Sequence, residues 1–463
     1  MRIRFDRGTL VLEAEDARDD PGAIAEAAWD PELAGWRVPA ERYAGLVRQL
    51  ASQGVRISDE LRDRRLATEW QLPALRWYQE AALDRWQAAG CRGVVALPTG
   101  AGKTLVALAA IARLGVAALC LVPTRLLLAQ WAQALAACTA QPIGRLGDGE
   151  HVVAPITVAT YASAVSWAPR IGDRFGLVVV DEAHHVGAWC PGEIFEMLVA
   201  PARLGLTAVP PEEPVRLACH VGPTVYRRSA AELAGDGIAD YELTSVPIAL
   251  DAAEHQRYRA LRGRFAASYR AFQRRMPDAA WREYVRAALQ THDGRAALAA
   301  WRGYRALLAY SAGKREALRR LLAQHRGRRA LVFTADNATV YEIARELLVI
   351  PITHEIKRAE RAQAIAGFRS GERPVLVSSQ VLDEGFDVPD ADLAIVVGGT
   401  SSARRHAQRI GRVLRPRDGK RAVVYELAVV DTTEIASVER RRRGLGLGPG
   451  FSDDPARIAG GAS

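Results

Sequence analysis

Three groups of residues in this chain have the types and spacings of phosphate chemistry. The first is Pro98-Thr99-Gly100-Ala101-Gly102-Lys103-Thr104. It follows the apolar run Val94-Val95-Ala96-Leu97 and precedes a helical pattern from Leu105 to Leu114, so it falls at the strand-to-helix turn that a P-loop requires. Gly100 and Gly102 let the backbone curl until the N–H groups of the Pro98 to Gly102 loop cradle phosphate oxygens at a positive helix end. Lys103 then reaches the outer phosphates, and the Thr104 hydroxyl ligates Mg2+. The second group ends another apolar run further along the chain: Leu177-Val178-Val179-Val180 leads into Asp181-Glu182-Ala183-His184. A carboxylate at the carboxyl end of a neighbouring parallel strand can face a metal held at the P-loop, and the adjacent one can hold and deprotonate water. Asp181 is therefore read as a metal ligand and Glu182 as the base. His184 and His185 lack the H-E-x-x-H order of a zinc site, which leaves His184 a hydrogen-bonding, coupling role. The third group is Gln408-Arg409-Ile410-Gly411-Arg412-Val413-Leu414-Arg415. Its spacing puts Arg409, Arg412 and Arg415 along one side of a helix, an array that can meet phosphates as arginine fingers do.

These groups need rigid elements to carry them. From Gln71 onward, apolar runs at Val94 to Leu97, Leu119 to Val122, Ile156 to Ala159, Leu177 to Val180 and Leu204 to Thr207 alternate with helical segments such as Leu126 to Ala137. Uninterrupted Val/Leu runs between helices indicate a parallel sheet covered on both faces, a doubly wound α/β domain with its ligand site at the carboxyl edge. The alternation resumes at Ala330 to Thr334, Val375 to Ser378, Leu393 to Val397 and Ala422 to Leu427, a second α/β domain without a P-loop. Ahead of both, residues 1–66 read as a small α+β module, with a hairpin turning at Asp6-Arg7-Gly8 and a helix from Arg42 to Gln53. The expected division is 1–66, 67–249, an insertion at 250–312, 313–443, and a disordered Gly/Ala/Pro-rich tail at 444–463.

Charge is concentrated in one place. From His255 to Ala330 there are 19 Lys and Arg against 4 Asp and Glu, a local +15 in a chain whose net charge is +9. The remainder is therefore acidic, at −6. Such a block implies a polyanionic partner. Aromatic residues run through it, from Tyr258, Phe265 and Tyr269 to Trp301 and Tyr304; most of these rings pack a helical hairpin broken at Pro277 and Gly294. The arginines of its outer face, Arg270, Arg274 and Arg275, are the candidates for contact with nucleic acid. The N-terminal module at 1–66 is nearly neutral, 11 basic side chains against 13 acidic. No run approaches the roughly 18 apolar residues of a membrane span, and the N-terminus has no signal-peptide core, so a cytoplasmic, intracellular protein without membrane association is expected. The five cysteines are scattered without a C-x-x-C pair, which excludes a zinc or disulfide framework from the expectation and leaves buried thiols.

Taken in order, the P-loop, Asp181-Glu182-Ala183-His184, Leu206-Thr207-Ala208 and the Gln408 to Arg415 array resemble superfamily 2 helicases. Within them the chain resembles the XPB-type (xeroderma pigmentosum group B) DNA helicases of archaeal and bacterial form, through Leu75-Arg76-Trp77-Tyr78-Gln79, Thr157-Val158-Ala159-Thr160-Tyr161 and Val381-Leu382-Asp383-Glu384-Gly385-Phe386-Asp387-Val388-Pro389. The resemblance covers residues 70 to 430 strongly and the N-terminal module weakly. It implies two RecA-like lobes, ATP and Mg2+ as cofactors, a thumb at the basic insertion, and an N-terminal module similar to a mismatch-recognition domain. It further implies that Gln79 reads the adenine edge with Arg76 nearby, and that Thr124, Arg125, Thr160 and Tyr161 hold the nucleic-acid backbone. Thr207 and Ala208 would couple hydrolysis to strand movement; Gly385 and Asp387 would face the nucleotide from the second lobe, with Gln408, Arg412 and Arg415 completing the transition-state site. ATP would close the lobes and hydrolysis reopen them. The implied function is an ATP-dependent DNA helicase or translocase in DNA repair, a monomer or weak oligomer, with a nuclease as a potential partner. An RNA helicase, or an ATP-regulated clamp that recruits a partner nuclease, remains the alternative. Two departures stand out: Thr207-Ala208-Val209-Pro210 replaces T-A-T-P, losing a hydroxyl, and Pro211-Glu212-Glu213 stands where R-E-D is expected. Both bear on unwinding more than on ATP hydrolysis.

Overall fold

The computed structural model describes residues 1–463 apart from 16–19, 25, 60, 62–63, 211–214, 237–239, 380–390, 400–405, 407–420 and 445–463. It divides into two compact units, Met1–Leu233 and Ala234–Ser463.

The first unit holds two sheets. The smaller contains β1 (Arg2–Asp6), β2 (Thr9–Glu13), β3 (Ala28–Asp30), β4 (Gly35–Pro39) and β5 (Ser58–Asp59), in the order β3-β4-β2-β1-β5. The expected hairpin pairs Asp6 with Thr9 across Arg7-Gly8, and helix α1 (Tyr43–Ser52) buries Leu46 and Leu50 beneath the sheet. This module is seated on the larger domain: Val199 belongs to its core, and a Cβ at Gly8 would lie 2.6 Å from Met197 Cγ. A fully buried arginine pins the seat. Arg203 donates to the carbonyls of His220 (2.6 Å) and Phe195 (2.9 Å) and pairs with Glu41 of the module at 3.4 Å; burial pushes its guanidinium down to about 10.

The larger sheet contains β6 (Arg92–Ala96), β7 (Ala118–Val122), β8 (Ile143–Gly147), β9 (Glu150–Val152), β10 (Ile156–Thr160), β11 (Leu177–Val180), β12 (Ala202–Thr207) and β13 (Thr224–Arg227), ordered β13-β6-β12-β11-β7-β10-β8-β9. All neighbours are parallel except the β8-β9 hairpin. Every residue of β7, β10, β11 and β12 is buried, as a sheet covered on both faces demands. Helices α2 (Trp77–Ala88), α3 (Lys103–Leu114), α4 (Arg125–Ala136) and α5 (Tyr161–Ile171), with short α6 (Glu193–Glu196) and α7 (Val215–His220), make the connections. The order places β12 and β11 between β6 and β7, so the chain reverses beside the P-loop strand, and ligand crevices open at such switch points.

The second unit has one parallel sheet of β14 (Asp240–Ile248), β15 (Ala330–Phe333), β16 (Ile350–Ile352), β17 (Val375–Ser378), β18 (Leu393–Val396) and β19 (Arg421–Val429), ordered β14-β19-β18-β15-β17-β16. Here the structure differs from expectation. The sequence alone puts everything up to position 249 in the first α/β domain, yet β14 pairs along its whole length with β19. The basic insertion, α8 (Ala252–Arg275), α9 (Trp281–Leu289) and α10 (His292–Ala309), is therefore inserted within the second unit, ahead of α11 (Ala312–Gln324). The chain leaves at β14 and returns to the same spot: a Cβ at Gly313 would lie 2.7 Å from Ile248 Cγ2 and 2.9 Å from the Ala249 carbonyl. Gly294 does not break the insertion. It lies in the first turn of α10, where the Thr291 hydroxyl caps its amide at 3.0 Å and a Cβ would lie 2.2 Å from the Ala288 carbonyl. Helices α12 (Asn337–Leu347), α13 (Arg358–Ser370) and α14 (Thr433–Gly444) follow among the described residues of the unit. All five cysteines are free; Cys120 and Cys190 are buried as expected, whereas Cys219 is exposed. No helix among the described residues is long and apolar enough to cross a membrane.

Candidate nucleotide site and nucleic-acid interface

The loop between β6 and α3 has the dihedral angles its sequence calls for. Gly100 and Gly102 have φ of 90° and 75°, the left-handed region where glycine carries no side-chain penalty. At Gly102 space is also limiting, since a Cβ would lie 2.4 Å from Gln79 Nε2. The loop is braced from both sides. Leu97 donates its amide to the Thr207 carbonyl (3.0 Å), while Tyr78 Oη (3.0 Å) and Gln79 Nε2 (2.9 Å) both donate to the Ala101 carbonyl. Lys103 Nζ donates to the Leu97 (3.2 Å) and Pro98 (3.4 Å) carbonyls, which sets its charge over the hollow of the loop. Lys103 and Thr104 open α3, and the first amides of a helix have no intrahelical acceptor.

Asp181 and Glu182 follow the end of β11. Asp181 is nearly buried, with Oδ2 accepting from Trp131 Nε1 (2.8 Å) and Oδ1 from the Glu182 amide (2.9 Å). Burial raises its carboxyl above the ordinary range, against the Trp131 hydrogen bond and the Lys103 charge, which pull it down. Glu182 sits at φ 50°, a left-handed conformation that costs an L-residue roughly 1–2 kcal/mol. Tyr161 clamps this turn through its hydroxyl, which donates to the carbonyls of Asp181 and Glu182. His184 links the turn to the next strand: Nδ1 lies 3.1 Å from Thr207 Oγ1 and 3.3 Å from Glu182 Oε2. Thr207 Oγ1 donates onward to the Val209 carbonyl at 3.1 Å. A strained acidic turn is thus tied to the strand end that also holds the P-loop entrance.

These residues fit a nucleoside triphosphate with a divalent metal. The loop is a cradle of small residues with two glycines, Thr99 Oγ1 is buried without a hydrogen-bond partner, and Lys103 and Asp181 are close enough to interact electrostatically. No cluster of three or more His, Cys, Asp or Glu among the described residues could hold a metal by itself. A metal held by Thr104 and Asp181 would take phosphate oxygens and water to complete its shell.

The candidate nucleic-acid residues separate. Thr124 and Thr160 cap α4 and α5, accepting from the Leu127 (3.3 Å) and Ser163 (3.2 Å) amides at the carboxyl ends of adjacent strands. Arg125 is largely exposed beside Asp148 at 3.4 Å. Tyr161 is corrected: it is 3% exposed, and its hydroxyl clamps the acidic turn instead of meeting a strand. Gln79 is likewise turned inward, at 3% exposure. In the insertion Tyr258, Tyr284 and Tyr304 are buried, whereas Arg270, Arg274 and Arg275 are exposed. Arg270 and Arg274 line a shallow groove with Ala267 and Gln273.

Comparison with known proteins gives the same order of parts. Residues 3–61 match the xeroderma pigmentosum group B helicase damage recognition domain, 72–212 the type III restriction enzyme res subunit, and 313–417 the helicase conserved C-terminal domain. The chain is 34% identical over 454 residues to the DNA 3'-5' translocase XPB2 of Sulfurisphaera tokodaii, covering 95% of this chain and 99% of that one. The chain belongs to the XPB-type DNA helicases of superfamily 2. It is also 30% identical to the DNA 3'-5' helicase XPB of Mycobacterium tuberculosis, over 81% of this chain and 64% of that relative. Its fold, two RecA-like lobes, is similar to the Pyrococcus furiosus Hef helicase domain (TM-score 0.55, 22% identity, 78% of this chain and 97% of that chain). It is similar too to Saccharomyces cerevisiae Dbp5 bound to RNA and ADP BeF3 (TM-score 0.54, 16% identity, 83% and 91%).

Gly385, Asp387, Gln408, Arg412 and Arg415, and the Pro211-Glu212-Glu213 departure, lie outside the described residues. Two residues that sequence reasoning missed in these roles matter to the first lobe. Trp131 supports Asp181 from α4, and Tyr161 holds its backbone from the start of α5; neither role carries a local signal. The second lobe has a polar edge that sequence reasoning also missed. Asn337 Nδ2 meets His354 Nδ1 (3.2 Å), Ser379 donates to Asn337, and Tyr341 Oη bonds Thr353 and Glu355 (2.8 Å each). The run Thr334-Ala335-Asp336-Asn337 after an apolar strand is the available signal, with Asp336 capping α12.

Proposed function

We propose that this chain is an ATP-dependent DNA helicase or translocase that couples hydrolysis to movement along or opening of duplex DNA in DNA repair. The observation that carries this reading is the meeting, at one sheet edge, of the braced P-loop, the Asp181-Glu182 turn and the His184–Thr207 link. Bound at the P-loop with Mg2+, ATP supplies the phosphoanhydride whose cleavage provides the free energy. Lys103 neutralises the outer phosphates; Thr104 and Asp181 hold the metal. Glu182 orients the attacking water and takes its proton. His184 Nδ1 faces both Thr207 Oγ1 and Glu182 Oε2, so a change in the charge of Glu182 alters the contacts at the end of β12. Thr124, Arg125 and Thr160 at the same edge, with the arginines of the insertion, hold the nucleic-acid backbone. Arg412 and its neighbours Gln408 and Arg415 stabilise the transition state.

Steady-state ATP hydrolysis without nucleic acid, and with single-stranded DNA, forked duplex DNA or RNA, tests the reading, with Glu182→Gln as the blank. Stimulation chiefly by DNA is expected. Hydrolysis indifferent to all four conditions would instead favour a clamp or recruiter. Lys103→Ala is expected to abolish turnover, and activity within about tenfold of wild type would remove the P-loop assignment.

A further inference from the structure

The acidic turn is joined to the surface by a stack of three rings. The His184 side chain is 1% exposed, and its ring centroid lies 4.1 Å from that of His185 with the planes 48° apart. His185 in turn lies 4.4 Å from Trp189, and these two planes differ by 4°. Trp189 is 56% exposed, so the stack that starts beside Glu182 ends on an indole open to solvent. The loop that presents it is tightly built. Val186 and Cys190 bridge to each other and enter the core, while the His185 carbonyl accepts the amides of Ala188 (3.0 Å), Trp189 (2.9 Å) and Cys190 (3.0 Å). From α7, Arg216 Nη1 donates to the Gly187 carbonyl at 2.9 Å, which sets a cation beside the loop. At the buried end, His184 Nδ1 lies 3.1 Å from Thr207 Oγ1 and 3.3 Å from Glu182 Oε2. One ring nitrogen carries at most one proton, so it serves one of these oxygens fully only by leaving the other.

We propose that Trp189 is a sensor for unpaired bases: a base of single-stranded DNA stacks on its indole, and the His185 and His184 rings carry that contact to Glu182, so that the strand switches on hydrolysis. The proposal rests on the ATP-hydrolysis reading above and deepens it by assigning its regulation. What suits the exposed indole is a flat π-face, which every base presents whatever the sequence, and Arg216 suits the neighbouring phosphate. Next to β11 in the sheet come β7 and β10, whose carboxyl ends carry Thr124 and Thr160. A strand held there by its backbone lies along the same edge as the Trp189 loop. Without DNA, Glu182 shares the His184 proton. Stacking on Trp189 re-seats the rings and gives that proton to Thr207, which frees Glu182 to take the proton of the attacking water. His185 is then a positioning residue, acting through its neighbours in the stack.

The test is steady-state ATP hydrolysis by the full chain at saturating concentrations of a deoxythymidine oligomer, the same sugar-phosphate backbone without bases, and a blunt duplex. Stimulation is taken for each variant relative to its own DNA-free rate. Wild type should respond to the oligomer and far less to the baseless strand. In Trp189→Ala, stimulation by the oligomer should fall about tenfold or more, the scale of one base–aromatic stack, while the response to blunt duplex stays within about twofold of wild type. Trp189→Phe, which keeps a flat ring, should recover most of the stimulation. His185→Ala leaves Trp189 in place but breaks the stack, so it should lose more stimulation than affinity for the oligomer, a split that a packing role would not give. Wild-type hydrolysis indifferent to DNA, full stimulation of Trp189→Ala by the oligomer, or equal losses with oligomer and blunt duplex would overturn the sensor and leave the ATP site standing. So would a baseless strand that stimulates wild type as well as the oligomer does. Absence of hydrolysis by wild type under every condition would remove the ATP reading and the sensor with it.

Discussion

At the scale of single residues, the acidic turn shows how chemistry depends on partners that the motif does not contain. Asp181 is buried, and a buried carboxylate needs donors to remain useful as a metal ligand. Trp131 supplies one at 2.8 Å. A hydrogen bond to a charged group contributes about 1.5–3 kcal/mol, so Trp131→Phe, which keeps an aromatic ring and removes the N–H, should lower kcat about tenfold or more with an unchanged far-UV spectrum. Turnover equal to wild type would reduce Trp131 to packing. The P-loop and the Asp181-Glu182 pair were legible in sequence because backbone geometry and chemistry there are local: small residues, a lysine and two carboxylates sit within a few positions of a strand end. The roles of Trp131 and Tyr161 were not, since both reach the acidic turn from other elements of the sheet edge. The residue type of Gln79 allows it to read a base; that its side-chain amide also braces the Ala101 carbonyl is a contact only the folded loop reveals.

Among the elements, apolar runs identified the buried strands, because a parallel strand covered on both faces tolerates little else. They could not say to which sheet β14 belongs. Its sequence, Asp240 to Ile248, mixes polar and apolar residues, and its partner β19 is the last strand among the described residues. The link between α11 and α14 was equally invisible. Lys314 is fully buried, donating to the Leu308 carbonyl (2.7 Å) and pairing with Glu434 at 2.8 Å, while Glu434 also accepts from the Val429 amide (2.9 Å). Breaking a buried pair from one side costs about 3–5 kcal/mol. Glu434→Gln should therefore lower the urea midpoint more than the double variant Lys314→Met/Glu434→Gln, which removes both charges; additive losses would show that the pair is not coupled. Burial already holds the Lys314 ammonium below its usual 10.5 despite Glu434. With the native state binding that proton less readily than the unfolded chain, the defect of Glu434→Gln should shrink as pH rises toward 10.5.

For the molecule as a whole, charge segregation gives a testable grip. The insertion carries its arginines outward and its tyrosines inward, an arrangement suited to phosphate contact over a packed aromatic core. Each phosphate neutralised contributes roughly 0.7–0.9 to the slope of log affinity against log salt. Replacing Arg270, Arg274 and Arg275 by Gln should weaken DNA binding and flatten that slope by up to about 2–3; an unchanged slope would assign these side chains to solvent. The basic block and its aromatic interleaving were readable from composition, whereas the seating of the N-terminal module was not. Nothing in a nearly neutral N-terminal stretch announces that Val199 completes its core or that Arg203 meets Glu41.

The contact of Gly313 with Ile248 and Ala249 makes the insertion a closed detour, whose entrance and exit touch. Closing a loop between fixed ends depends only weakly on its length, about 0.6 kcal/mol per doubling. A change in the length of the detour beyond its Tyr258 and Tyr304 root is therefore expected to leave the register of the sheet that hosts it unchanged.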